Sequence, residues 1–158
     1  MLWAARERDA VVPPEAQQTE PDMKDTRSTT RAVATVVVTR SEAKPFDEGS
    51  NPALFEIALT ETFTGDIEAE SEVRALQVLR DDKSASMVSL QRVRGTLGRR
   101  RGSFVLQGSE TIKGGRIKAT WFVVPGSGNG DLSGLRGEGR FEGDFGKGSD
   151  ATLDYWFV

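Results

Sequence analysis

Between Ala53 and Thr64, Phe55, Ile57, Leu59 and Phe63 fall on alternate positions while Glu56, Thr60 and Thr62 take the others. A period of two is what an extended strand presents as two faces. Segments of this kind follow one another from residue 31 onward: Ala32–Thr39, Ala53–Thr64, Ile67–Leu79, Ser84–Val93, Gly102–Ile112, Arg116–Val124, Gly137–Phe145 and Ala151–Val158. Turn-forming residues separate them, and nothing reads as a long amphipathic helix. About eight strands suit a closed barrel, which leaves no edge. The expectation is an all-β chain folded as an eight-stranded antiparallel β-barrel.

Of the seventeen glycines, all but Gly49 and Gly65 lie from Gly95 onward. They supply the positive φ of hairpin turns and the room that coiled strands need where a barrel closes. Residues 1–30 differ in kind, with Pro13, Pro14 and Pro21, mixed charges and one aromatic residue, Trp3. This stretch is read as an N-terminal arm before a barrel domain at 31–158. It is either a disordered tail or a lid laying Leu2, Trp3, Val11 and Val12 over the barrel mouth.

The chain has neither cysteine nor histidine. That removes thiolate nucleophiles, disulfides, Cys-zinc and iron–sulfur sites, imidazole bases and imidazole-bound metals. Carboxylates become the natural proton carriers, no cofactor is implied, and a cysteine-free chain suits the reducing cytoplasm. A net charge of −3 gives no general attraction to nucleic acid or anionic lipid, and no apolar run is long enough for a membrane span.

Glu61 interrupts the apolar row of Phe55, Ile57, Leu59 and Phe63. If that row points inward, burial raises its pKa and makes it a general acid or base, or an anchor for a ligand's polar group. The alternative is a strand-end carboxylate in solvent. Glu110, aligned with Phe104 and Leu106, repeats the argument more weakly. Asp66, Glu68, Glu70 and Glu72 alternate along one face, which is read as solvated, so no metal site is expected. The arginines from Arg92 to Arg101 lack interleaved aromatics and read as a solvated hairpin tip rather than a nucleic-acid surface. Arg92 is set apart because it alternates with Val88 and Leu90, so its guanidinium is expected to reach a buried carboxylate such as Glu61 or an acidic ligand. Gly126–Gly130 has no following Lys-Ser/Thr pair or helix, so it is a connection and not a phosphate loop.

Four stretches resemble a bacterial domain-of-unknown-function family, number 3224: Phe63–Glu68, Gly102–Gln107, Val124–Gly128 and Leu132–Gly139. The strand ending in Gln107-Gly108 and the run from Gly137 to Gly146 are similar to the allene oxide cyclase barrel. The resemblance implies an allene-oxide-cyclase-like fold, often oligomeric as a homodimer or homotrimer. Barrels of that group include enzymes that fold a flexible polyene or polyketide chain for ring closure. The matching motifs are glycines of turns and strands, so no catalytic residue transfers with them.

These readings combine into a cofactor-free cyclase or isomerase that holds a flexible apolar small molecule inside the barrel. Glu61 and Tyr155 are the catalytic candidates, and Phe55, Phe63, Arg92, Phe104, Trp121 and Trp3 the substrate-binding ones. The competing reading is a non-catalytic ligand carrier or an oligomeric structural barrel.

Overall fold

The computed structural model describes residues 28–144 and 147–158. It is all strand, in the order β1 Thr30–Asp47, β2 Ala53–Gly65, β3 Ile67–Leu79, β4 Ala85–Leu97, β5 Arg100–Lys113, β6 Arg116–Val123, β7 Asn129–Gly130, β8 Leu135–Asp144 and β9 Ser149–Phe157. Eight of these close a ring, β1-β2-β3-β4-β5-β6-β8-β9 and back to β1, with every neighbouring pair antiparallel. The two-residue β7 lies outside the ring against β5. The eight-stranded antiparallel barrel expected from the alternation is the fold.

The ring closes with a stagger. From the Ala34–Gly65 pair, successive partners lead through Ala151, Phe141, Ala119, Glu110, Met87 and Gln77 to Phe55, ten residues from Gly65 on the same strand. That stagger tilts the strands, and eight strands enclose a space that side chains fill or that holds one small ligand. Beyond the expected limit at Thr39, β1 runs on to Asp47, kept in register with β2 by irregularities at Val38/Arg40 and Pro45/Asp47. Its other edge pairs with β9 only as far as Val36.

The interior is apolar toward one end. Phe63, Ile67, Val93, Leu97, Phe104, Leu106, Leu132, Leu135 and Leu153 are essentially inaccessible there. Each such burial stabilises by about 1.5–3 kcal/mol. The Gly126–Gly130 connection closes over this end. Asn129 Oδ1 accepts from the Ser103 amide and hydroxyl, and Ser127 Oγ accepts from the Val105 amide, which seats Leu132 in the core. At the opposite end the inner rows finish in the half-buried Phe55, Gln77, Met87, Ile112 and Ile117.

The outer rows carry charge. Glu70 faces Arg94 and Glu72 faces Arg92 across β3 and β4, the opposite-sign cross-strand pairing that supports a water-facing sheet. Among the described residues no helix is long and apolar enough to cross a membrane.

Trp121 shows how tightly the ring constrains its contents. Its indole lies 6.0 Å from the Phe63 ring and 5.0 Å from the Phe141 ring, centroid to centroid, and its Nε1 donates to the Thr152 carbonyl at 3.4 Å. On β8, Gly139 stands directly opposite. A Cβ there would come within 2.4 Å of Trp121 Nε1 and 2.1 Å of the Thr152 oxygen. Gly139→Ala is therefore expected to destabilise the barrel by about 2–3 kcal/mol through overpacking, read as a lowered urea midpoint with unchanged slope.

Candidate functional site

Burial confirms that the row Phe55, Ile57, Leu59, Glu61, Phe63 points inward, since Ile57, Glu61 and Phe63 are buried while Glu56 and Thr64 are exposed. Glu61 is only 8% exposed. Gln91 Nε2 donates to Glu61 Oε1 at 2.8 Å and to Ser71 Oγ at 2.6 Å. Ser71 is the cross-strand partner of Glu61 on β3, and Gln91 projects from β4. Three consecutive strands thus supply one buried polar chain. Burial lifts the Glu61 carboxyl to about 7, against the opposing hydrogen bond from Gln91 and with a smaller push from the charge of Glu110.

Glu110, on β5, is the second interior carboxyl and is 7% exposed. Its Oε1 accepts a short hydrogen bond from Ser89 Oγ, while its Oε2 is buried with no partner. Burial raises this pKa too, opposed by the Ser89 hydrogen bond. Gly108 provides the room, because a Cβ there would meet Glu110 Oε1 at 2.7 Å and Ser89 Oγ at 2.8 Å. No described lysine or arginine is buried. Both carboxyls therefore face neutral partners, an amide at Glu61 and a hydroxyl at Glu110, and the charge of Glu110 adds to the rise at Glu61.

The other candidates separate by position. Phe55 is half-buried at the end that also holds Met87 and Ile112. Phe63, Phe104 and Trp121 pack in the apolar core. Tyr155 belongs to the plugged end, half-buried against the core, with its ring edge-on to Phe157 at 6.1 Å. Tyr155 and Glu61 pair with Thr30 and Val38 on β1, eight residues apart or roughly 26 Å of extended strand, so the structure does not bring the two together. Arg92 is exposed and faces outward opposite Glu72. The strand alternates as expected, but its Val88, Leu90 and Arg92 face is the outer one. Trp3 lies outside the described residues. Sequence reasoning missed Ser71, Ser89 and Gln91, and the alternation in β4 was the signal that held two of them.

A concavity of about 1430 Å³ is lined by residues of β1 to β6 and β8, among them the exposed Leu76, Val88, Leu90 and Phe122 and the buried Ile57, Ala75, Ser89 and Trp121. Neither Glu61 nor Glu110 lines it. A smaller groove of about 420 Å³ lies at the plugged end between Thr30, Arg100, Tyr155 and Phe157, where the Arg100 guanidinium stacks 3.9 Å from the centre of the Phe157 ring. Among the described residues no cluster of three acidic side chains is arranged to hold a metal ion.

Residues 32–155 match the model of a family described as protein of unknown function (DUF3224). The chain belongs to that family. A crystal structure of a DUF3224 protein of unknown function from Shewanella oneidensis MR-1 is similar to it, with 29% identity and a TM-score of 0.67 over 83% of this chain and 98% of that one. No curated protein matches the chain. The DUF3224 fold thus includes the strands that carry Glu61, Ser71, Ser89, Gln91 and Glu110, while residues 1–31 precede the matched region.

The sign of the Glu61 shift gives a stability test. Its pKa rises from 4.5 in the unfolded chain to about 7 in the fold, so the native state binds the extra proton between those values and loses stability as pH climbs through that window. The loss approaches about 3 kcal/mol above pH 7. Glu61→Gln keeps an acceptor for Gln91 and removes the charge. Its urea midpoint should match the parent near pH 4.5 and exceed it at pH 8.

Proposed function

We propose that this DUF3224 barrel binds a flexible apolar small molecule in its interior and promotes isomerisation or ring closure without a cofactor, with Glu61 moving the proton. The observation that carries the reading is a carboxyl on the inner face whose hydrogen-bond donor is the neutral Gln91 amide, with a pKa of about 7. A structural carboxylate gains most from a cationic partner, whereas one poised near neutrality gives and takes a proton at working pH. The similarity of Gln107-Gly108 and Gly137–Gly146 to the allene oxide cyclase barrel supports the same class. A ligand entering past Phe55, Met87 and Ile112 meets Glu110 and then Glu61. There the ionised Glu61 removes a proton from the carbon between a carbonyl and an alkene and returns it to the far alkene carbon, which moves the double bond into conjugation. Tyr155, at the other end of the barrel, takes no part in this step.

Conversion of a short-chain β,γ-unsaturated ketone, followed by ultraviolet absorbance of the conjugated product, tests the reading. The rate should exceed the buffer blank, rise with pH to a plateau above about 7 as the base form fills, and fall about a hundredfold or more in Glu61→Gln. A rate unchanged in that variant removes Glu61 from the chemistry.

A second reading, a non-catalytic oligomeric barrel, is favoured by the outer strip of Leu76, Val88, Leu90 and Phe122, which are 40–58% exposed. Leu76 pairs directly with Val88, and Gln107 stands between Leu90 and Phe122. Apolar strips of this kind mark association surfaces. On this reading sedimentation gives a dimer or trimer mass, and Val88→Glu with Leu90→Glu returns the monomer. A monomeric parent protein rejects it.

A further inference from the structure

The two interior carboxyls unbalance the hydrogen-bonding inventory of the barrel. Gln91 spends both amide hydrogens on Glu61 Oε1 and Ser71 Oγ, and Ser89 spends its hydroxyl proton on Glu110 Oε1. Glu110 Oε2 is left buried with no donor, on a side chain 93% removed from solvent. An unfilled acceptor in such a place costs about 1–3 kcal/mol. The neighbours of Glu110 offer no relief: Ser89 and Met87 face it from β4, Ala119 and Trp121 stand on β6, and Gly108 and Ile112 flank it on β5. Glu61 is the other charge acting in the interior, and it has the same sign. Arg100 is at the plugged end, over the Phe157 ring.

Resting on the interior-binding reading above, we infer that the ligand is an apolar molecule with an N–H or O–H donor at its polar end, an amine or alcohol and not a carboxylic acid or phosphate ester, and that the donor fills Glu110 Oε2. An anionic headgroup would place further negative charge beside two interior carboxyls with no buried lysine or arginine among the described residues to meet it, and repulsion in a low-dielectric interior disfavours it. A donor headgroup completes the chain Ser89–Glu110 by a charge-assisted hydrogen bond, while the tail lies against Phe55, Met87 and Ile112, the half-buried residues at that end.

The test titrates the ¹⁵N-labelled full chain at neutral pH with octylamine, octanol and octanoate and follows the backbone amides of Ser89, Gly108 and Glu110. Octylamine or octanol should shift these resonances saturably, and octanoate should bind about tenfold or more weakly. Glu110→Gln, which offers a donor of its own, should weaken octylamine and bring octanoate up to equal it. Octanoate binding the parent protein as tightly as the amine and the alcohol, at the same residues, overturns the inference and leaves interior binding standing. If none of the three probes moves the inner-row amides, interior binding fails as well. Should Glu110→Gln not fold, the ranking of the three probes on the parent protein decides alone.

Discussion

Closure of the hydrogen-bonded ladder is the constraint on which the rest depends. Once β4 pairs with β5 and β1 with β9, every second residue of eight strands is committed to an interior of fixed girth. Volume there is conserved locally. Trp121 is accommodated by Gly139 across the β6–β8 pair, and the Ser89–Glu110 contact by Gly108 beside it. The same closure traps polarity, because an inner-row side chain in mid-strand has no path to solvent by rotamer change. It must find a partner among the inner rows, and Glu61, Ser71 and Gln91 do so on three adjoining strands. Tight packing and a satisfied polar chain thus follow from one geometric fact.

Much of this is readable along the chain where apolar residues and the inner face coincide. In β2 the row containing Phe55, Ile57 and Phe63 marks the interior and carries Glu61 with it, and in β5 Phe104 and Leu106 do the same for Glu110. In β4 the relation inverts. Val88 and Leu90 point out, 58% and 55% exposed, while Ser89 and Gln91 point in. Alternation alone identifies two faces but not which one is inside, so hydrophobicity places Arg92 in the interior and hides Gln91. Only pairing with β3, where Val73 and Ala75 are buried opposite Gln91 and Ser89, resolves it, and that pairing is tertiary information. The extension of β1 through Arg40–Asp47 is hidden for a related reason. The stretch is charged, contains Pro45 and is exposed throughout, and it is a strand because β2 holds it.

The interior carboxyls contrast with the acid–base pairs on the surface. Arg31 grips Asp154 with two hydrogen bonds of 2.8 and 2.9 Å, and this holds the Asp154 carboxyl below its usual range. Such a group is locked in one charge state, and in its exposed position it adds little to stability. Glu61 is the reverse case. Its partners are neutral, its burial is costly to the ionised form, and its charge is responsive near neutral pH. Replacing it by an apolar residue would remove that cost.

The outer strip and the inner carboxyl chain are two surfaces of the same strand. On β4, Val88 and Leu90 face outward between Leu76 and Gln107, while Ser89 and Gln91 face inward to Glu110 and Glu61. A substitution at an even-numbered position of β4 acts on the outer surface, and one at its odd-numbered neighbour acts on the carboxyls. The alternation that obscures this strand's inner face in sequence is also what makes its two faces separable by substitution.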